Sequence, residues 1–227
     1  MSDLGTLGGT KGGANKINLF GEVAGWSSYA DDNLQPVIFR GGAIVDLGTL
    51  GGQEGSAWGI NDLGRAVGYS YTSENRRHAT LYRHGTLYDL NDLVPAGAGV
   101  ELMAATAIDD LGRIVGFGCY GGQVAGPDCI GGQIRAVLLT PPPGQMLQDL
   151  FELLRRFRSQ GAGATSLAAR LGEATRCFDS GDAGCLQGPL SAIASEAQAQ
   201  VGAALTEEQA RLLAAATEGL KATRDYR

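Results

Sequence analysis

The chain has 227 residues, 44% of them hydrophobic and 19% charged, with a formal net charge of -6. That balance belongs to a folded chain and excludes a disordered tract. Three lysines and no basic stripe exclude a nucleic-acid binder, and no apolar run approaches the roughly 18 residues that a membrane-spanning helix needs.

Read from the first residue, the string DLGTLGG fills residues 3–9 and returns at residues 46–52. A degraded copy, DLNDLVP, starts at Asp89, so the three starts are 43 residues apart. A fixed period of this size marks one supersecondary unit that is copied and stacked. Ile17-Asn18 aligns with Ile60-Asn61, Gly21 with Gly64, Gly25 with Gly68, Ser27 with Ser70 and Gly42 with Gly85. Ile108-Asp109-Asp110-Leu111-Gly112 aligns with Ile60-Asn61-Asp62-Leu63-Gly64, Gly116 with Gly68, and Ala136-Val137-Leu138-Leu139 with Ala79-Thr80-Leu81-Tyr82.

Each copy is expected to hold four short antiparallel strands. In the second they fall on residues 56–60, 65–71, 78–83 and 86–90, with the turn Asn61-Asp62-Leu63-Gly64 between the first two. Asn and Asp bond to nearby backbone and Gly takes positive φ, so these residues spell turns. The aligned glycines are therefore expected at turn positions. Four strands in such a length is the size of a propeller blade.

Composition changes at Pro141-Pro142-Pro143-Gly144. The expected organisation is a β repeat array over residues 1–140, a proline-rich linker over 141–145 and a helical bundle over 146–227. The fold class is thus a mainly β, propeller-like array forming an incomplete ring, followed by an all-α bundle of three or four helices. Helical stripes run through Leu147, Leu150, Phe151, Leu154 and Phe157; through Leu167, Leu171, Ala174 and Phe178; and through Leu186, Leu190, Ile193, Ala197 and Val201. A fourth helix starts at a Thr206–Gln209 capping box and carries Leu212, Leu213, Ala216 and Leu220.

Four cysteines fall into two local pairs, Cys119 with Cys129 and Cys177 with Cys185. Each pair flanks a loop, where a short bridge would remove unfolded-state entropy, so two disulfides and an oxidising compartment are expected. The spacings do not fit a zinc finger.

The order DLGTLGG, then GIN-D-x-G-x-x-VG-x-S, then HA-x-L-x-x-x-G, then DL resembles the HAF-repeat family of bacterial extracellular repeat proteins. The matching segments are residues 46–52, 59–70 and 78–85, with His78-Ala79-Thr80 at the triplet. Gln35-Pro36-Val37 and Arg135-Ala136-Val137 stand there in the other copies, so the histidine belongs to one copy. The resemblance implies an exported, propeller-like β protein, extracellular or on the cell surface, with no established activity. The helical region is similar to the FIVAR/FIMAH-type modules at the C-termini of some secreted bacterial proteins. Met1 runs almost directly into the first motif, which reads as a truncated or mature piece of a longer chain.

No nucleophile elbow, zinc-protease, phosphate-loop or dinucleotide fingerprint occurs in the sequence. No catalytic, cofactor-binding or metal residue is therefore assigned. Asp46, Asn61, Asp62, His78, Asp89, Asp109 and Asp110 are the candidates for a binding face. The oxygens of Asn61-Asp62 and Asp109-Asp110, with Asp31-Asp32-Asn33, would suit Ca2+, but the first copy has Asn18-Leu19-Phe20-Gly21 in the equivalent turn, without a carboxylate. Turn formation accounts for the spacing with no metal. Asp3, Asp46 and Asp89 are expected to cap the turns they open. Trp26, Trp58, Tyr69 and Tyr71 are expected to pack in the core or between units before serving as a sugar-stacking face.

The function expected is a non-catalytic binding or display scaffold for an unknown extracellular protein or glycan ligand, with self-association through open repeat edges. The rivals are an extracellular hydrolase with its site on the loop face, and a ligand-free structural module of a truncated longer protein.

Overall fold

The computed structural model describes residues 1–95, 97–159, 165–203 and 205–222, with no account of the side chains of 158, 159, 165 and 183. Strands precede helices along the chain. It divides into two compact units, one of residues 1–109 and 113–139, the other of 110–112 and 140–227.

In the first unit, β1 (Gly12–Ile17), β2 (Val23–Ser28), β3 (Leu34–Arg40) and β4 (Ala43–Asp46) form an antiparallel meander. A second meander follows, of β5 (Gly51–Ile60), β6 (Ala66–Thr72), β7 (Arg77–Arg83) and β8 (Thr86–Asp89). Adding 43 to the limits of β3 and β4 gives those of β7 and β8. A parallel bridge from Leu34 to Glu54 joins the two meanders into one open sheet. A 3-10 turn at Leu90–Leu93 leads to β9 (Val100–Ile108) and β10 (Ile114–Tyr120). The insertion hairpin of β11 (Gln123–Ala125) and β12 (Asp128–Ile130) comes next, and β13 (Gln133–Leu139) completes a sheet in the order β13-β10-β9.

The third copy therefore keeps three of the four expected strands. Where the fourth strand would begin stand Thr140-Pro141-Pro142-Pro143, and none of the three prolines can donate to a ladder. Pro143 helps to start a helix instead.

The turns form as their residues dictate. Asn61 Oδ1 accepts the amides of Leu63 (3.1 Å) and Arg65 (3.0 Å), while Gly64 sits at φ 71°. Asn18 Oδ1 does the same for Phe20 (3.0 Å) and Glu22 (2.9 Å), with Gly21 at φ 75°. Asp109 Oδ1 accepts the Arg113 amide at 2.9 Å.

Three of the aligned glycines are not turn residues, contrary to expectation. Gly25, Gly68 and Gly116 lie inside β2, β6 and β10, each opposite a bulge in the neighbouring strand. A Cβ there would stand 2.0 Å from the Gly13 oxygen, 1.9 Å from the Ser56 oxygen and 2.2 Å from the Ala104 oxygen. The bulge brings one backbone onto the next, and only a residue without a side chain leaves room.

The β core lies between consecutive meanders. Ala24 and Ile38 of the first pack with Leu47 and with Ala57, Ile60 and Ala66 of the second. Val67, Ala79 and Leu81 of the second pack with Leu102, Ala105 and Ile114 of the third sheet. One face of each meander thus covers the opposite face of the next.

The second unit has four helices: α1 (Pro143–Ser159), α2 (Thr165–Asp179), α3 (Ala183–Ala199) and α4 (Glu207–Ala222). α1 begins inside the stretch expected to be linker, because proline suits a first helical turn, where its missing N–H has no role. Leu147, Leu150, Leu154, Phe157, Leu167, Leu171, Leu190, Ile193 and Leu213 are buried, as the stripes require. Thr206 and Gln209 exchange the two bonds of a capping box, at 3.0 and 3.2 Å. Disulfides join Cys119 to Cys129 and Cys177 to Cys185, with Cα separations of 5.3 and 5.4 Å. No described helix is long and apolar enough to cross a membrane.

Candidate functional site

The aspartates that open the three motifs share one local task. Asp3, Asp46 and Asp89 each place Oδ1 at 2.9 Å from the amide two residues on, that of Gly5, Gly48 and Asn91. The short loop after them is pinned again at each of the first two copies. Leu7 and Leu50 donate their amides to the Ser27 and Ser70 hydroxyls, both at 2.9 Å. Asp46 Oδ2 also accepts the Tyr29 hydroxyl, and that bond raises the Tyr29 pKa.

Asn61, Asp62 and Asp109 come together at the turns, where they connect consecutive units. The Asn18 side-chain amide donates to the Asn61 carbonyl at 2.9 Å, and that of Asn61 donates to the Asp109 carbonyl at 2.9 Å. Asp62, itself buried, accepts the Leu19 amide at 2.7 Å. These turns form a ladder across the array, and Asp110 adjoins it in sequence. The aromatics of the second meander pack mainly on one another. Trp58 meets Tyr69 edge-on at 5.1 Å, and the Arg77 guanidinium lies over the rings of both Tyr69 and Phe117. Burial, with help from Glu54 at 2.9 Å, pushes the Tyr69 hydroxyl pKa far up.

Of the candidate residues, His78 and Asp89 stand apart from these contacts and form a different kind of cluster. His78 Nδ1 meets Asp89 Oδ2 at 2.5 Å, and its Nε2 meets Glu101 Oε1 at 2.9 Å. Glu101 Oε1 also takes the Arg76 guanidinium, while its Oε2 accepts the Val124 amide at 3.3 Å. Asn91 fixes the far side. Its side chain bonds Asp89 Oδ1 at 3.0 Å and exchanges two bonds with the Leu102 backbone, at 2.7 and 3.0 Å.

His78 comes from β7, Arg76 from the turn just before it, Asp89 from the end of β8 and Glu101 from β9. The insertion hairpin closes one side. It is tied to β10 by the Cys119–Cys129 bridge, and its tip reaches the turn before β7, where Gly126 and Asn75 pair at 3.0 Å and Arg77 and Gly126 at 3.1 Å. Arg76, His78, Asn91, Pro95, Val100 and Glu101 line an open cleft of about 480 Å³ over the cluster.

Burial disfavours the charged form of His78, but the bonds to Asp89 and Glu101 outweigh it and the net pKa is raised. Burial pushes the Asp89 carboxyl up, and the bonds from His78 and Asn91 overcome that and hold it below the ordinary range. With each ring nitrogen against a carboxylate, the protonated imidazole is the favoured form, able to donate both N–H groups, and in that form Arg76 and His78 face Asp89 and Glu101. In that form the ring has no free lone pair and both of its protons are already held by carboxylates. Among the lining residues the one sulfur is Cys119, which is committed to its disulfide, and none is a serine. Among the described residues no group of three or more His, Cys, Asp or Glu is arranged to hold a metal ion.

Sequence reasoning missed Arg76, Asn91 and Glu101. Glu101 carried a usable signal: an acid between Val100 and Leu102-Met103 must find a cation if it is buried. No family model, curated protein or solved structure matches this chain.

Proposed function

We propose that this chain is a non-catalytic, exported binding scaffold whose blade-like units present the cleft over His78 as the ligand site. The carrying observation is that both nitrogens of His78 are held by carboxylates in an open cleft. A proton-transfer site needs a ring with one nitrogen free. A binding site needs a rigid, polar floor, which the charge-balanced cluster supplies. The cleft mixes Arg76, Asn91 and Glu101 with glycines and Pro95, so it suits a hydroxyl-rich or amide-rich chain such as a glycan or an extended peptide. Two disulfides belong to chemistry that persists outside the reducing cytosol, and with the likeness to HAF repeats they support an extracellular or cell-surface location.

The test is a glycan and peptide array followed by calorimetry on the hits. Saturable binding that Arg76→Ala weakens at least about tenfold, the order expected for one charged hydrogen bond, supports the proposal. Sustained turnover of a generic glycoside, ester or peptide substrate, abolished by Asp89→Asn, would overturn it in favour of an extracellular hydrolase.

A further inference from the structure

The junction between consecutive meanders is built twice inside the chain, from the same aligned positions. On the forward face, Ala24 and Ile38 of the first copy and Val67 and Leu81 of the second are at most 7% exposed, each pair covered by the unit that follows. The aligned residues of the third copy are Val115 and Leu138, which lie opposite each other in the β10–β13 register. They are 43% and 64% exposed. On the backward face, Leu47 and Ile60 of the second copy are buried at 6% and 3% against the first. Their counterparts in the first copy, Leu4 and Ile17, are 44% and 61% exposed.

The 227-residue chain therefore carries both halves of its own internal junction, one at each end of the array and neither covered. We propose that the forward face of the third β unit docks on the backward face of the first β unit in a second copy of this chain. The contact is heterologous, so it either closes into a ring or propagates. It involves packed sheet faces, whereas the expectation from sequence was pairing of strand edges. The number of copies rests on the blade-like reading of the units proposed above. Propellers hold about four to eight blades, so three units from each of two copies close a ring of six, while one copy falls short and three overshoot.

The junction between copies differs from the internal ones in one respect. The turn ladder passes from Asn18 to Asn61 to the Asp109 carbonyl. A carboxylate has no N–H to pass it further. The contact between copies therefore lacks this amide link and rests on its apolar residues, where a buried carboxylate would carry a desolvation cost.

The test is the mass in solution of the intact chain, by light scattering after gel filtration at tens of micromolar. A dimer of about twice 23.5 kDa is expected. Leu138→Asp removes the forward face and Ile17→Asp the backward face, and each alone should give monomer. Mixing the two variants should restore a one-to-one dimer, because the variant altered at Ile17 keeps its forward face and the variant altered at Leu138 keeps its backward face. Recovery requires both variants to be folded, so misfolding cannot imitate it. A wild-type monomer at about 100 µM overturns the proposal, as does a dimer that Ile17→Asp leaves intact. A ladder of growing masses abolished by either variant would keep the contact but refute the closed ring, and with it the blade reading. The ligand cleft is unaffected by any of these outcomes.

Discussion

Gly68 in the β array and Gly172 in the helical unit sit in regions built by different rules. A Cβ on Gly68 would lie 1.9 Å from a backbone oxygen of the next strand, whereas one on Gly172 meets nothing within 4 Å. The β units are fixed by single atoms: a missing Cβ opposite a bulge, an amide that crosses from turn to turn, a hydroxyl that pins a loop. The helices are fixed by a pattern, since Leu167, Leu171, Leu190, Ile193 and Leu213 are buried as members of apolar stripes, and the stripe positions matter more than any one partner. The array is therefore specific and intolerant, and the bundle generic and tolerant.

The same substitution should have opposite signs in the two regions. Gly68→Ala forces two backbones apart and should cost about 3 kcal/mol or more, the upper end for overpacking. Gly172→Ala, inside α2, should stabilise by about 0.5–1 kcal/mol, because alanine holds a helix better than glycine. Urea unfolding followed by circular dichroism measures both. Equal effects at the two positions would break the contrast.

A smaller effect sharpens it. Asn61→Asp keeps the acceptor that shapes its own turn but removes the donor to the Asp109 carbonyl, and sets a carboxylate beside that oxygen. The residue is buried, so the loss should be about 1–3 kcal/mol. Hydrogen exchange should rise around the turns of both the second and the third units. Exchange confined to residues 61–65 would mean that the ladder does not couple the units.

The two regions also differ in how much the sequence reveals. The 43-residue period placed β7 and β8, and the loop-flanking cysteines placed both bridges, because each feature is written locally. The strand glycines were misread because their cause is a bulge in another strand, which no local pattern records. The missing fourth strand of the third copy was legible in Pro141-Pro142-Pro143, a run that stops the last strand as well as forming a linker. In the site, His78 was visible as a letter found in one copy only, and Asp89 as the aspartate that opens the third motif. Arg76 and Glu101 were not, since their meeting depends on β9 passing the start of β7, a non-local contact.

The proposed binding role of the cleft rests on His78 being held in its protonated form between two carboxylates. Its folded pKa is raised above the ordinary 6.5, so its stabilisation is complete below about pH 6.5 and lost as pH climbs through the folded value. Asp89 is lowered from 3.8, so its share is present above about pH 3.8 and lost as acid titrates it through the lower folded value. The cluster thus contributes most between about pH 4 and 6.5. The chain has two histidines, so a long-range proton–nitrogen NMR titration resolves each ring. The account predicts that at pH 6.5 both nitrogens of the His78 ring are mostly protonated, and that the ring loses its proton only at higher pH. A His78 ring found mostly as one neutral tautomer at pH 6.5 would contradict it.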